Sequence, residues 1–269
     1  MLKLAVFGAA GRMGRAVLQC AAEAGDLAIV GAVTQPKDAL LGRDAGEVAG
    51  LASLGVPLTD DPKQGIHGAQ AVIDFTLPSA TEAGARACVE TGTPLVVGTT
   101  GLEKRQLDAL EKAAQEIPVV YARNLSVGVN IFMDLVGRAA QALGEDFDVE
   151  IVEAHHRHKV DAPSGTALAL GERVAAARGH KLADVAVYAR HGRTGPRVPD
   201  TIGFAVVRGG NVAGDHSVIF IGPEEQIEFR HHARDRKMFA RGALRAARWV
   251  AGRAPGLYSM SDVIGLNRG

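Results

Sequence analysis

L-K-L-A-V-F-G-A-A-G-R-M-G, residues 2–14, decides the fold of the first half of the chain. The apolar run up to Phe7 reads as a short buried strand, and glycines at 8, 11 and 14 open an alanine-rich amphipathic segment, Gly11 to Ala24. In a strand that turns directly into a helix, Gly8 permits the tight turn, Gly11 lets the backbone approach a pyrophosphate, and Gly14 lets helix and strand pack closely. The spacing is GxxGxxG rather than the commoner GxGxxG, so its weight comes from context: a strand before it, a helix after it, and a second apolar run, L-A-I-V-G-A-V, on schedule. Gly8, Ala9, Ala10, Gly11, Arg12 and Met13 are therefore candidate contacts for a dinucleotide. At the end of the second strand, where an acid ordinarily holds the adenine ribose, the chain reads V-T-Q-P-K, with Thr34 and Gln35 in that place. A missing carboxylate removes repulsion against a ribose phosphate and Lys37 attracts one, which leans toward NADPH. The alternative is that Thr34 and Gln35 hydrogen-bond the ribose and NADPH and NADH both serve.

Outward from this loop, strand-like and helix-like runs alternate: A-V-I-D-F, P-L-V-V-G-T and P-V-V-Y-A-R follow at βαβ spacing. After N-L-S-V-G-V-N the pattern changes. D-V-E-I-V-E-A alternates polar and apolar, and G-F-A-V-V-R, H-S-V-I-F-I and Q-I-E-F-R-H read as further strands between Gly- and Pro-rich turns. Met238 to Val250 closes the chain as a helix, with Phe239, Ala243, Ala246 and Val250 on one face and Arg241, Arg245 and Arg248 on another. The expected fold is α/β: an N-terminal Rossmann-like dinucleotide-binding domain with a parallel sheet, plus a C-terminal α+β domain with a mixed sheet. Boundaries fall at residues 1–126, with 236–269 returning to the first domain, and at 127–235 for the second.

A chain of 269 residues accommodates two such domains without staples. Lys+Arg and Asp+Glu are both 30 and aromatics are 4%, which argues against a nucleic-acid binder that must neutralise phosphates and stack bases. The two cysteines, Cys20 and Cys88, lie in separate helical segments with no CxxC, and no apolar run approaches membrane-spanning length. A reduced, cytoplasmic protein with no membrane partner is expected.

V-E-A-H-H-R-H-K-V-D-A-P-S-G-T-A, Val152 to Ala167, holds the chemistry. Zinc needs convergent ligands, and neighbours in an extended segment point to opposite faces, so His155 and His156 are a poor pair and no metal is expected. A nucleic-acid patch is disfavoured by Glu150, Glu153 and Asp161 around it, and a solvated strand end with a structural histidine stays open. The remaining reading supposes that the segment stays extended, so that His155 and Lys159 share one face and address one ligand. P-S-G-T then starts a helix, where the N–H groups of Gly165 and Thr166 and the hydroxyls of Ser164 and Thr166 make a carboxylate seat. Two anion holders and a proton donor suit a small polycarboxylate that is changed while bound, and with a nicotinamide in the first domain the reaction class is hydride transfer.

These motifs resemble the 4-hydroxy-tetrahydrodipicolinate reductase (dihydrodipicolinate reductase) family over essentially the full length. E-A-H-H-R-H-K-V-D-A-P-S-G-T-A carries the resemblance, with D-F-T at 74–76, G-T-T-G at 98–101, N-L-S-V-G-V-N at 124–130, H-G-R-T-G-P-R and T-I-G-F in the family's order. The resemblance implies a reductase of lysine and diaminopimelate biosynthesis that takes the cyclic imine dicarboxylate formed from pyruvate and aspartate semialdehyde, loses water, and delivers a hydride from NADH or NADPH to give tetrahydrodipicolinate. It implies His155 as proton donor or acceptor, Lys159 as proton donor and His156 as a substrate contact, with Gly165 and Thr166 holding a carboxylate. It places the nicotinamide against Gly98, Thr99 and Thr100 and against Ala122, Arg123, Asn124 and Leu125. It further implies a homotetramer joined through the second domain's sheet and closure of the two domains over the ligands; because cofactor and substrate sites lie in different domains, the connections near Ser126 to Gly128 and Arg234 to Lys237 are the candidate hinges. Two positions depart from the commoner pattern: the missing acid at Thr34 and Gln35, and Arg123 in place of a small residue. Two rivals remain: another two-domain nicotinamide reductase of amino-acid metabolism, such as an aspartate dehydrogenase, and a dinucleotide-binding protein without turnover.

Overall fold

The structure, a computed structural model, describes residues 1–266. The last three positions of the expected 236–269 return lie outside the described residues. Among the described residues twelve strands are formed: β1 (Leu2–Phe7), β2 (Leu27–Val33), β3 (Leu58–Thr59), β4 (Ala71–Asp74), β5 (Leu95–Val97), β6 (Pro118–Tyr121), β7 (Asp148–His155), β8 (Ala186–Val187), β9 (Ile202–Arg208), β10 (Gly214–Ile221), β11 (Gln226–Ala233) and β12 (Gly256–Tyr258). The chain divides into two compact units, one comprising Met1–Val127 and the segment from Arg236 onward, the other Gly128–Asp235.

In the first unit seven parallel strands lie in the order β12-β6-β5-β4-β1-β2-β3. Strands buried on both faces are predominantly apolar, and β4 and β5, A-V-I-D and L-V-V, are fully buried, with Asp74 the one charged residue, at the carboxyl end of β4. The Arg12–Ala24 and Lys237–Val250 helices pack on one side of this sheet, burying Val17, Leu18, Ala243, Ala246 and Val250. The Pro78–Thr91 and Lys104–Ala113 helices give Ala85, Cys88, Leu110 and Ala113 to the other. The strand order reverses direction between β1 and β4, so the crevice for a ligand opens beyond their carboxyl ends, at Gly8 and Phe75.

The second unit is a five-stranded mixed sheet, β11-β10-β7-β9-β8. β10 runs antiparallel to β7 and β11, whereas β9 runs parallel to β7 and β8. Alternation along β7 sends Val149 and Ile151 inward, against Phe132, Val136 and Ala140 of the Val127–Leu143 helix and Leu170 and Val174 of the Gly165–Ala177 helix. The same parity sends Glu153 and His155 inward beyond the apolar pairs. Among the described residues no helix is long and apolar enough to cross a membrane.

Candidate active site

The glycine loop of the first unit is built as its spacing implies. Gly8 has φ +74°, a conformation that side chains disfavour, and a Cβ there would stand 2.6 Å from the Phe75 carbonyl oxygen. A Cβ at Gly14 would run into the Gly8 carbonyl, which is what close packing of helix on turn requires. At Gly11 a Cβ would meet only the Gly8 oxygen, at 3.2 Å, a tight contact that glycine avoids. Gly11 is also the N-cap of the Arg12–Ala24 helix and supplies no side-chain acceptor, leaving the positive end of the helix dipole to an anion. Ala9 is buried, Ala10 and Met13 are half-buried and Arg12 is exposed. The loop therefore fits a pyrophosphate.

At the end of β2, Thr34 is buried and its hydroxyl donates to Asp38 Oδ2 at 2.7 Å, while Gln35 and Lys37 are exposed. Asp38 also accepts from Leu40 N, and the Thr34 hydroxyl holds its carboxyl below the usual range. A turn in which Lys37 has φ +63° thus brings the Asp38 carboxylate beside Thr34. The sequence pattern hid it because that turn sets the spacing.

Across the switch point, buried Asp74 ties two loops together: Oδ1 accepts from Thr76 N at 2.7 Å and from the Thr99 hydroxyl at 3.3 Å. Burial pushes its carboxyl up, and the Thr76 and Thr99 donors oppose that. Gly98 has no room for a side chain, because a Cβ would press on Phe75 and Leu125. Thr99 is buried and Thr100 exposed. Leu125 is buried, Ala122 and Asn124 are half-buried, and Asn124 Oδ1 caps Ser126 N at 2.9 Å. Arg123 is exposed, and nothing in its surroundings explains its choice over a small residue.

In the second unit the basic segment is not extended, which overturns the shared-face argument for His155 and Lys159. β7 ends at His155, residues 157 and 158 turn, and Lys159 N donates to the His156 carbonyl at 3.1 Å. Lys159 Nζ instead pairs with Asp161 at 2.8 Å, which holds that carboxyl below its usual range. His156 is half-buried beside His158, their ring centroids 6.3 Å apart. Among the described residues the group whose side chains approach closely enough to share an ion is Glu145, His180 and Asp200, which includes none of these histidines.

What brings the site together is Glu153, 1% exposed. Its Oε2 lies 2.6 Å from His155 Nδ1 and 2.7 Å from Arg208 Nη1, and its Oε1 accepts from Ser164 N at 3.0 Å and Arg208 Nη2 at 2.8 Å. Ser164 is the N-cap of the Gly165–Ala177 helix, its oxygen accepting from Ala167 N at 3.1 Å and meeting His216 Nε2 at 2.9 Å. The Ser164 hydroxyl is thus engaged in the cap, while Gly165 is exposed and Thr166 half-buried at the first turn. The His155 and His216 rings meet edge-on at 5.1 Å. Burial pushes the His216 imidazole down to about 4, helped by the neighbouring His155. The acid/base candidate and the helix start that suits a carboxylate therefore stand side by side. Sequence reading missed Glu153, Arg208 and His216, although the inward parity of a glutamate on β7 was a visible signal.

The N-terminal family model of dihydrodipicolinate reductase matches residues 2–125, and the C-terminal model matches residues 128–264. The chain is 53% identical to the 4-hydroxy-tetrahydrodipicolinate reductase of Alkalilimnicola ehrlichii over 98% of its own length and 99% of the relative's. It is 51% identical to that of Thiobacillus denitrificans, over 98% and 99%. Its fold is similar to that of a dipicolinate-bound dihydrodipicolinate reductase from Paenisporosarcina sp. TG-14, with TM-score 0.79 at 23% identity, covering 98% of this chain and 99% of that one.

Proposed function

The chain belongs to the dihydrodipicolinate reductase family, and we propose that it catalyses the NAD(P)H-dependent reduction of 4-hydroxy-tetrahydrodipicolinate to tetrahydrodipicolinate in lysine and diaminopimelate biosynthesis. The observation that carries this reading, beside the family, is the junction at Glu153 of the His155 imidazole with the helix start Ser164–Thr166.

When bound, the nicotinamide supplies a hydride. The chain supplies the rest. The helix start at Gly165 and Thr166 seats one substrate carboxylate with backbone N–H groups and the Thr166 hydroxyl, and His156 contacts the same ligand. Once the 4-hydroxyl has left as water, reduction of the resulting conjugated imine leaves electron density that a proton must meet, and Lys159 provides that proton, with His155 as the acid/base partner; such groups contribute about 10²–10⁴-fold. Lys159 is held by Asp161 in the free protein, so substrate competes with Asp161 for the ammonium. Gly8 to Met13 receive the pyrophosphate, and Gly98 to Thr100 with Ala122 to Leu125 frame the nicotinamide.

Both nicotinamides serve in this reading, NADPH preferentially. Thr34 and Gln35 in place of an acid, with exposed Lys37, support it; Asp38 beside Thr34 opposes a ribose phosphate and keeps the preference modest. A homotetramer is supported by the sheet of the second unit, where Ala205, Val207 and Ile221 expose apolar surface on the side away from its two helices. Buried Cys20 and Cys88, with no disulfide, suit the cytoplasm.

The test generates the unstable substrate in situ from pyruvate and aspartate semialdehyde with the preceding synthase and follows nicotinamide absorbance with each cofactor. Oxidation that depends on the chain and is faster with NADPH is expected. Lys159→Ala lowers kcat by about 10²-fold or more, whereas His156→Ala mainly raises KM. A Lys159→Ala variant with near-normal kcat contradicts the acid role.

A further inference from the structure

We propose that Glu153 is a positioning residue for the reduction: its carboxylate fixes the His155 imidazole with the proton on Nδ1, leaving Nε2 to exchange protons, and ties that ring to the helix start that seats the substrate carboxylate. The proposal rests on the acid/base reading of His155 and goes beyond it to a residue that touches neither substrate nor cofactor.

Hydrogen-bond capacity at Glu153 decides the tautomer. An ionised carboxylate is acceptor-only, with about four lone-pair sites. All four at Glu153 are met: His155 Nδ1 and Arg208 Nη1 on Oε2, Ser164 N and Arg208 Nη2 on Oε1. Arg208 and the Ser164 amide are donors in every protonation state, and burial, which opposes the charge, is outweighed by them and by His155, so the carboxyl lies below its usual range. With an acceptor-only partner at 2.6 Å, Nδ1 must carry the hydrogen, and a neutral ring then bears its lone pair on Nε2. Gly214 begins β10, one residue before the Asp215–Ala154 pair; a Cβ there would stand 3.0 Å from Nε2, so glycine at this position avoids crowding that nitrogen. Around the ring stand Glu153 of β7, Arg208 of β9 and His216 of β10, with Asp215 and His231 acting on His216 in turn.

A buried ion pair contributes little net stability compared with an apolar pair of similar volume, so stability alone does not account for Glu153 and Arg208 here. Their arrangement accounts for orientation. Arg208 also donates to the Asp161 carbonyl at 2.7 Å, reaching the residue that holds Lys159, so one bidentate pair fixes the strand end, the turn and the helix cap together.

The test reads the tautomer directly. In protein labelled with ¹⁵N at histidine, long-range proton–nitrogen spectra distinguish Nδ1–H from Nε2–H, with His155→Asn assigning the signals. Wild type is expected to hold neutral His155 as Nδ1–H, and Glu153→Gln to move it toward Nε2–H, lower kcat by about tenfold or more and displace the kcat–pH profile, with the KM for NADPH changed less than about twofold. A wild-type ring in the Nε2–H form overturns the proposal even if Glu153→Gln does not fold. So does a folded Glu153→Gln that keeps the wild-type tautomer and pH profile. The underlying reading fails separately: His155→Asn with full kcat removes His155 from the chemistry whatever its tautomer.

Discussion

His216 is 5% exposed and pushed down to about 4, whereas in the unfolded chain it titrates near the ordinary histidine value. Between those two values the unfolded state binds a proton that the folded state refuses, so stability is full above about pH 6.5 and falls as pH drops toward 4, by up to roughly 3 kcal/mol. Denaturant melts of wild type and His216→Gln at pH 7 and pH 4.5 check this: wild type is expected to lose clearly more stability over that interval, and equal losses contradict it. At this scale the sequence was partly legible. His155, Lys159 and the P-S-G-T helix start are recognisable by residue type, and the helix begins at Gly165 behind a Ser164 cap as its composition implies. The geometry joining them was not legible, because parity arguments hold only inside a strand and β7 stops at His155. Glu153 escaped for the opposite reason: it was weighed only as negative charge against a nucleic-acid patch, although it shares the inward parity of Val149 and Ile151.

At the scale of elements, the strand–turn–helix at the front separates packing from binding. Gly14 touches the Gly8 carbonyl, so Gly14→Ala forces backbone apart and is expected to destabilise the protein by about 1–3 kcal/mol or more. A Cβ at Gly11 would meet only the Gly8 oxygen, tightly at 3.2 Å, so Gly11→Ala is expected to cost less stability than Gly14→Ala and to raise the KM for cofactor, because its methyl occupies the pyrophosphate's approach. Thermal melts and cofactor titrations decide; a Gly11→Ala variant with wild-type cofactor KM removes the loop from binding. The longer elements were legible because periodicity needs length: the helix expected from Met238 to Val250 forms as Lys237–Val250, with Ala243, Ala246 and Val250 buried. β3, β8 and β12 have two or three residues each and carry no period to read. Asp38 was hidden in the same way, by a local turn.

For the whole molecule, fold class followed from the change in pattern after N-L-S-V-G-V-N, and the seven-stranded parallel and five-stranded mixed sheets are what that change implied. Assembly was not legible from residue pattern, since β9 reads as apolar whether its outer face meets water or another chain. Val207 is 52% exposed there, and a tetramer joined through this sheet buries it. Light scattering is expected to give four times the 28.1 kDa chain mass, and Val207→Asp a smaller species; a wild-type monomer contradicts the assembly. The proposed substrate site requires that one dicarboxylate be addressed jointly by the helix start, His156 and Lys159. Its most direct measurement is competitive inhibition of the reductase assay by dipicolinate, a stable planar dicarboxylate, against picolinate, which lacks one carboxylate. Inhibition by dipicolinate that is about tenfold or more tighter, competitive with substrate, is the expected result. Equal inhibition by the two acids, or dipicolinate inhibition unaltered in Lys159→Ala and Thr166→Val, contradicts it.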